Sequence, residues 1–197
     1  MKAYVLFLFF MISLGAHATS VIQHDMKEVT QLSGLVFQGQ VSGLKSYRES
    51  NGTIYTEVNF DIHEVIKGDY PSSSITLRYL GGTVDGMTMN VIDSDVPSFG
   101  QLGIYFVAKG HENLMHPLSG WGQGHYVLKK TAAGTRVFSS NGKAITDVSM
   151  ASAKVKSAKS YALNSYEASG LSFSEKSRYA ITPKDFKLTI RDIISEE

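Results

Sequence analysis

Residues with the types of a metal hydrolase meet in His111-Glu112-Asn113-Leu114-Met115-His116, two imidazoles around a glutamate. A zincin helix holds its histidines at i and i+4, so that both rings reach one zinc ion with the glutamate beside them. Here the spacing is i and i+5, which at about 100° per residue leaves the rings about 140° from a shared helical face. Pro117 follows at once and Gly110 precedes, so the segment reads as a solvated loop. A metal-dependent hydrolase built on His111, Glu112 and His116, with His125 in support, stands as the alternative.

Other chemistry-bearing strings are incomplete. His63 shares an alternating face with Asp61 and Glu57, a carboxylate–imidazole row that suits proton transfer or metal binding but equally a stripe that keeps a sheet soluble. Asp93-Ser94-Asp95 opens like a calcium loop, yet Val96-Pro97 follows and no glutamate occupies the twelfth position, so an aspartate-rich turn is expected. Neither a G-x-S-x-G elbow nor a phosphate-binding glycine loop with its lysine occurs. The chain of 197 residues contains no cysteine, which excludes thiol nucleophiles, thiolate zinc sites and disulfide frameworks. No catalytic residue and no cofactor is assigned.

Gly120-Trp121-Gly122-Gln123-Gly124 surrounds the single tryptophan with glycines. The ring could serve a partner as an aromatic platform, and core filling is the reading its volume favours. Trp121 and Gln123, with Tyr55 and His63 on the long strand that starts at Ile54, are the candidate partner-binding residues.

The elements that must position these groups are mostly strands. Leu35, Phe37 and Val41 share one face; Asn51-Gly52 then marks a hairpin, and Ile54, Thr56, Val58, Phe60 and Ile62 return on a dry face. Ile75 to Leu80 forms another strand, Gly81-Gly82 a bend, and Val84 to Ile92 a weaker strand. The apolar run Leu102 to Ala108 fits a central strand covered on both faces. His125 to Lys130 is followed by a last hairpin at Asn141-Gly142. Thr182 as N-cap, Pro183 and Asp185 start a C-terminal helix whose Phe186, Ile190, Ile193 and Ile194 form an apolar stripe.

At the other end, Met1-Lys2, the apolar run to Leu14 and Ala16-His17-Ala18 have the form of a secretory signal peptide. The run is short of the roughly 20 residues of a membrane span, so export to the periplasm or medium without stable membrane insertion is expected. Composition is otherwise ordinary: 43% hydrophobic, 19% charged, 19 Lys+Arg against 18 Asp+Glu. Without Lys2 the charges balance, which together with export argues against a nucleic-acid partner. The expected organisation is a signal peptide over 1–18, a lead-in over 19–33, a β-barrel domain over 34–148, a Ser/Ala/Lys-rich connector over 149–180 and a C-terminal helix over 181–197. The expected fold is mainly β, a small antiparallel, partly closed, OB-like barrel, with a β-sandwich as the alternative.

The strings Phe37-Gln38-Gly39-Gln40-Val41, Thr56-Glu57-Val58-Asn59-Phe60, Glu64-Val65-Ile66-Lys67-Gly68, Gly81-Gly82 and Gly120-Trp121-Gly122-Gln123-Gly124 resemble a family of small exported bacterial proteins of uncharacterised function, often found beside secreted matrixin-type metalloproteases. More remotely, the hairpin and Lys-Gly pattern is similar to netrin and tissue-inhibitor-of-metalloproteinases modules. Those inhibitors chelate the protease zinc through an N-terminal cysteine, and without cysteine this chain cannot do so. The resemblance implies an exported, non-enzymatic binding module with a protein or peptide partner, a metalloprotease among the candidates. A structural envelope or matrix component is the further alternative.

Overall fold

The computed structural model describes residues 22–149 and 167–196. The expected signal peptide and most of the expected connector lie outside these residues. The lead-in is partly helical. Asp25 accepts a hydrogen bond from the Glu28 N–H at 2.8 Å while the Glu28 carboxylate accepts from the Asp25 N–H at 3.1 Å, a reciprocal cap that starts α1 (Met26–Leu32). Its Met26 and Val29 are buried.

β1 (Ser33–Arg48) and β2 (Ile54–Lys67) form the expected long hairpin. Gly52 turns it at φ +88°, and the Asn51 side chain accepts from the Thr53 N–H. Ile54, Thr56, Val58 and Phe60 are buried, as their alternation requires, while Asn59, Asp61 and His63 are exposed. β3 (Ser74–Leu80) pairs with β2. The chain then leaves the sheet through Gly81 and Gly82, at φ +103° and +130°. A Cβ on Gly82 would stand 2.2 Å from the Thr56 hydroxyl oxygen, so only glycine fits this exit.

Past this exit the chain forms a small hairpin, β4 (Gly82–Val84) with β5 (Met87–Met89), in place of the single weak strand expected over 84–92. Asp85 and Gly86 sit at φ 50° and 74°, the Asp-Gly turn that closes a tight hairpin. β6 (Leu102–Ala108) is central, between β1 and β7 (His125–Thr131), and β8 (Gly134–Ser139), β9 (Ala144–Val148) and β10 (Leu171–Ser174) continue outward. β10 corrects the connector reading at its end, because Leu171 and Phe173 lie against the helix-covered core.

The result is an eight-stranded antiparallel sheet in the order β10-β9-β8-β7-β6-β1-β2-β3, with β4-β5 apart. The mainly β class and the C-terminal helix match expectation. The sheet is not closed: β3 and β10 end it on either side. The glycine pair expected as a bend turns the chain out of the sheet.

Two cores lie on opposite faces. One joins Val36, Ile104, Phe106, Tyr126, Val137 and Ile145 to α1 and to α2 (Pro183–Ser195) through Met26, Val29, Phe186, Ile190 and Ile193. The other contains Phe37, Val58, Phe60, Leu77, Tyr79, Tyr105 and Val107, covered in part by Leu118 and Val96. Thr182 caps α2, and Glu64 on β2 accepts from Lys187 at 2.5 Å and Arg191 at 2.6 Å. These hydrogen-bonded cations hold the Glu64 carboxyl below its ordinary range, chiefly through Lys187. Among the described residues no helix is long and apolar enough to cross a membrane.

Phe186→Ala should cost about 3–5 kcal/mol, because the cavity opens between helix and sheet. The exposed Leu188→Ala should stay within about 0.5 kcal/mol. Urea unfolding of both variants checks the contrast, and equal losses would contradict the docking of α2.

Candidate functional site

The second core is not wholly apolar. Tyr79 on β3, Tyr105 on β6, His125 at the start of β7 and His116 in the loop before Leu118 are all buried. Register explains part of this: Tyr105 and His125 are direct partners across β6 and β7, so their rings stack at 5.0 Å. Tyr105 also packs on Phe60 and Phe37, at 4.6 and 5.3 Å between ring centroids. It has room because residue 103 is glycine; a Cβ there would lie 2.8 Å from the Tyr105 hydroxyl and from the Tyr126 carbonyl oxygen. His116 meets Tyr79 edge to face at 5.1 Å and stacks on Trp121 at 5.0 Å, 10° from parallel.

The tautomers follow from the hydrogen bonds. The Leu118 N–H donates to His116 Nδ1 at 3.2 Å, so the neutral ring carries its proton on Nε2. Gln101 accepts the Ser98 N–H at its Oε1, 2.8 Å away, which turns its amide nitrogen to His125 Nε2 at 3.2 Å. That nitrogen must then accept, and His125 carries its proton on Nδ1. His116 Nε2, His125 Nδ1 and both tyrosine hydroxyls are buried without a hydrogen-bonding partner among the described residues. Burial pushes the His116 imidazolium down to about 3, with the neighbouring His125 adding to the shift and the Leu118 bond opposing it; burial alone takes His125 to about 4. Burial drives both tyrosines upward. All four groups are therefore uncharged at neutral pH.

This arrangement separates the residues of the metal reading. His111 and Glu112 lie on a surface turn, His111–Asn113, with their side chains 3.7 Å apart, whereas His116 turns inward. The one ring lone pair of neutral His116 is engaged by the Leu118 N–H, leaving no ligating nitrogen. Among the described residues no three His, Asp, Glu or Cys side chains are placed to hold a metal ion.

The partner-binding candidates are also dispersed. Trp121, at φ 59°, is half-buried over His116 and does not plug the core; the tyrosines fill that volume. Gln123 is buried, its amide donating to the Ile22 carbonyl at 2.9 Å and accepting the His24 N–H at 2.8 Å. Its polar groups fasten the segment before α1. Tyr55 lies under the Arg78 guanidinium, 4.5 Å from the ring centre. His63 lines a groove of about 500 Å³ with Gln40, Leu102 and Lys130.

Sequence reasoning passed over Gln101, Ser140 and the β4–β5 hairpin. They wall a cleft of about 440 Å³, together with Ser94, Asp95 and His125. Asp85-Gly86 was the one signal that could have revealed the hairpin wall. No family model, curated protein or solved structure matches the chain.

Because the folded imidazoles titrate below their ordinary 6.5, the unfolded chain takes up protons that the folded chain refuses. The stability from the neutral rings is complete above about pH 6.5 and is lost as pH falls toward 4 and 3. Each ring should cost about 1.4 kcal/mol per pH unit in that window, so pH 5 should remove about 4 kcal/mol. Glu64, lowered from 4.5, acts only below this range. Urea unfolding at pH 7, 6 and 5 measures the slope, which should halve in His116→Gln; an unchanged slope would contradict the assignment.

Proposed function

We propose that this chain is an exported, non-enzymatic binding module that captures a segment of a protein partner in the cleft beneath the β4–β5 hairpin. The observation that carries this reading is the rim. Ile92 and Phe99 are 73% and 72% exposed, and both lie on the loop that contributes Ser94, Asp95 and Ser98 to the cleft wall. Met87 on β5 is exposed as well. Large apolar side chains held in water on the same segments that wall a polar cleft suit a protein interface, where apolar anchors flank hydrogen-bonding groups. His125, which lines the cleft, stacks on the buried Tyr105, so this part of its wall is neutral and closely packed. The signal-peptide-like start of the chain supports export, and the family resemblance points to a co-exported metalloprotease as a partner class.

A photo-reactive phenylalanine analogue placed at position 92 or 99 should yield, in cells secreting the protein, an adduct of one shared mass. The same analogue at the exposed position 188 on α2 should not. Phe99→Asp should lower the adduct yield from position 92 at least tenfold, the effect of losing one apolar anchor worth about 1.4 kcal/mol. Adducts that are absent from both rim positions, or equally abundant at 188, would overturn the reading.

A further inference from the structure

We propose that the outer edge of β3 is a self-association surface, on which a second copy of this chain adds its own β3 antiparallel about a two-fold axis at Leu77. The surface is separate from the cleft, since neither Thr76 nor Arg78 lines it.

The main chain of β3 offers hydrogen bonds outward. β3 ends the eight-stranded sheet, with β2 on its inner side. At one end of that pairing the Gly81 N–H donates to the Ile54 carbonyl at 2.8 Å, and at the other the Ile62 N–H donates to the Ser73 carbonyl at 2.7 Å. Antiparallel ladders alternate bonded and unbonded pairs, so these two bonds fix the phase between them. Ile75, Leu77 and Tyr79 turn their main-chain groups toward β2, while Ser74, Thr76, Arg78 and Leu80 turn theirs away. The flanking positions are already engaged. Ser74 donates its N–H to the Ser72 hydroxyl oxygen and accepts from that hydroxyl at its carbonyl, and the Leu80 carbonyl accepts from the Ser94 hydroxyl at 2.7 Å. Thr76 and Arg78 remain, their outward N–H and C=O groups unpaired among the described residues.

The edge also lacks the devices that keep edges apart. Proline, lysine, bulges and brevity prevent edge strands from pairing. β3 runs seven residues without a register shift and contains no proline, lysine or glycine. The opposite edge, β10, has four residues and a shift between Ser172 and Phe173. Nor do side chains bar the approach. The Thr76 hydroxyl donates to Asn59 at 2.7 Å, and Arg78 lies 4.5 Å from the Tyr55 ring centre and 3.4 Å from Glu49. Both side chains thus lean back over β2 of their own copy.

Phase and charge select a second copy and one register. Thr76 and Arg78 are two residues apart, so the strand complements itself. With Leu77 facing Leu77 across the axis, Thr76 of each copy pairs with Arg78 of the other, and four N–H···O bonds close. An isologous contact of this kind ends at a dimer. A slip by two residues in one direction sets Arg78 against Arg78, a like-charge pair; in the other it sets Arg78 against Ser74, whose main chain is taken. In the Leu77 register the two guanidiniums diverge. Tyr55 pairs with Leu80, so each Arg78 leans toward its own Leu80 and away from the axis.

Sedimentation velocity of the purified protein from micromolar to near-millimolar concentration should show the mass rising toward twice that of the monomer. Over the same range, amide exchange followed by NMR should slow at Thr76 and Arg78 by at least about tenfold, while Leu77, bonded to β2, stays slow throughout. Proline is tolerated where a strand's N–H faces outward. Thr76→Pro should therefore keep the monomer folded and weaken the dimer about thirtyfold, because each copy loses the donor of one of the four bonds. Thr76→Val, which keeps the main chain, should still dimerise. A protein that stays monomeric across the range would overturn the inference. So would a dimer whose slowed amides lie elsewhere, or Thr76 and Arg78 amides that are already slow in the dilute protein. Should Thr76→Pro not fold, the concentration dependence of the wild-type amides decides alone.

Discussion

β6 has no face toward solvent, and the rest of the molecule is arranged around that constraint. Ile104 and Phe106 point into the core beneath the two helices, while Tyr105 and Val107 point into the opposite one. A strand so placed needs a cover on each side. α1 and α2 supply one cover, docked by apolar side chains, with α2 also held by Glu64 through Lys187 and Arg191. On the other side the loops carrying Val96 and Leu118 lie against the sheet. These loops also bring His116, Gln101 and the cleft wall to Tyr105 and His125. The chemistry of the second face is thus a by-product of how that face is sealed.

Sealing with polar rings has electrostatic consequences. Leu would have filled the places of Tyr79, Tyr105, His116 and His125 without unpaired donors. The aromatic polar side chains leave four buried atoms unpartnered among the described residues, a concentration that well-packed cores avoid. Neutrality keeps them tolerable. Each imidazole has one nitrogen engaged, by the Leu118 amide or by Gln101, and low polarity suppresses the charged forms. Departures from local packing rules of this sort tend to coincide with function.

How much of this was legible in the sequence depended on range. Local patterns carried over: the alternation through Ile54 to Phe60, the Asn51-Gly52 turn, the two-faced run at Leu102 and the Thr182 cap all fold as their periodicity and turn chemistry dictate. Asp25 with Glu28 was equally readable as a helix start but stood in a segment of weak periodicity. The site was harder to see. Its members lie on β3, β6, β7 and two loops, and nothing within ten residues of His116 announces that it will face Tyr79. Trp121 was read half rightly: its ring is largely covered, but it lies over His116 in a loop with a left-handed backbone, and the tyrosines fill the core. Closure of the sheet was also misjudged, since a glycine pair marks a change of direction without saying whether the chain stays in the sheet.

That change of direction makes the β4–β5 hairpin a replaceable part. It is joined to the body by a two-glycine neck, Gly82 crowded by Thr56 and Ser46 and Gly81 by the Met89 main chain, and its own strand pairing is internal. Substitutions or insertions between Thr83 and Met89 can therefore reshape one wall of the cleft while the eight paired strands stay as they are. A lineage could re-shape that wall by drift in seven residues, with the neck held constant as the fixture on which successive tips are mounted.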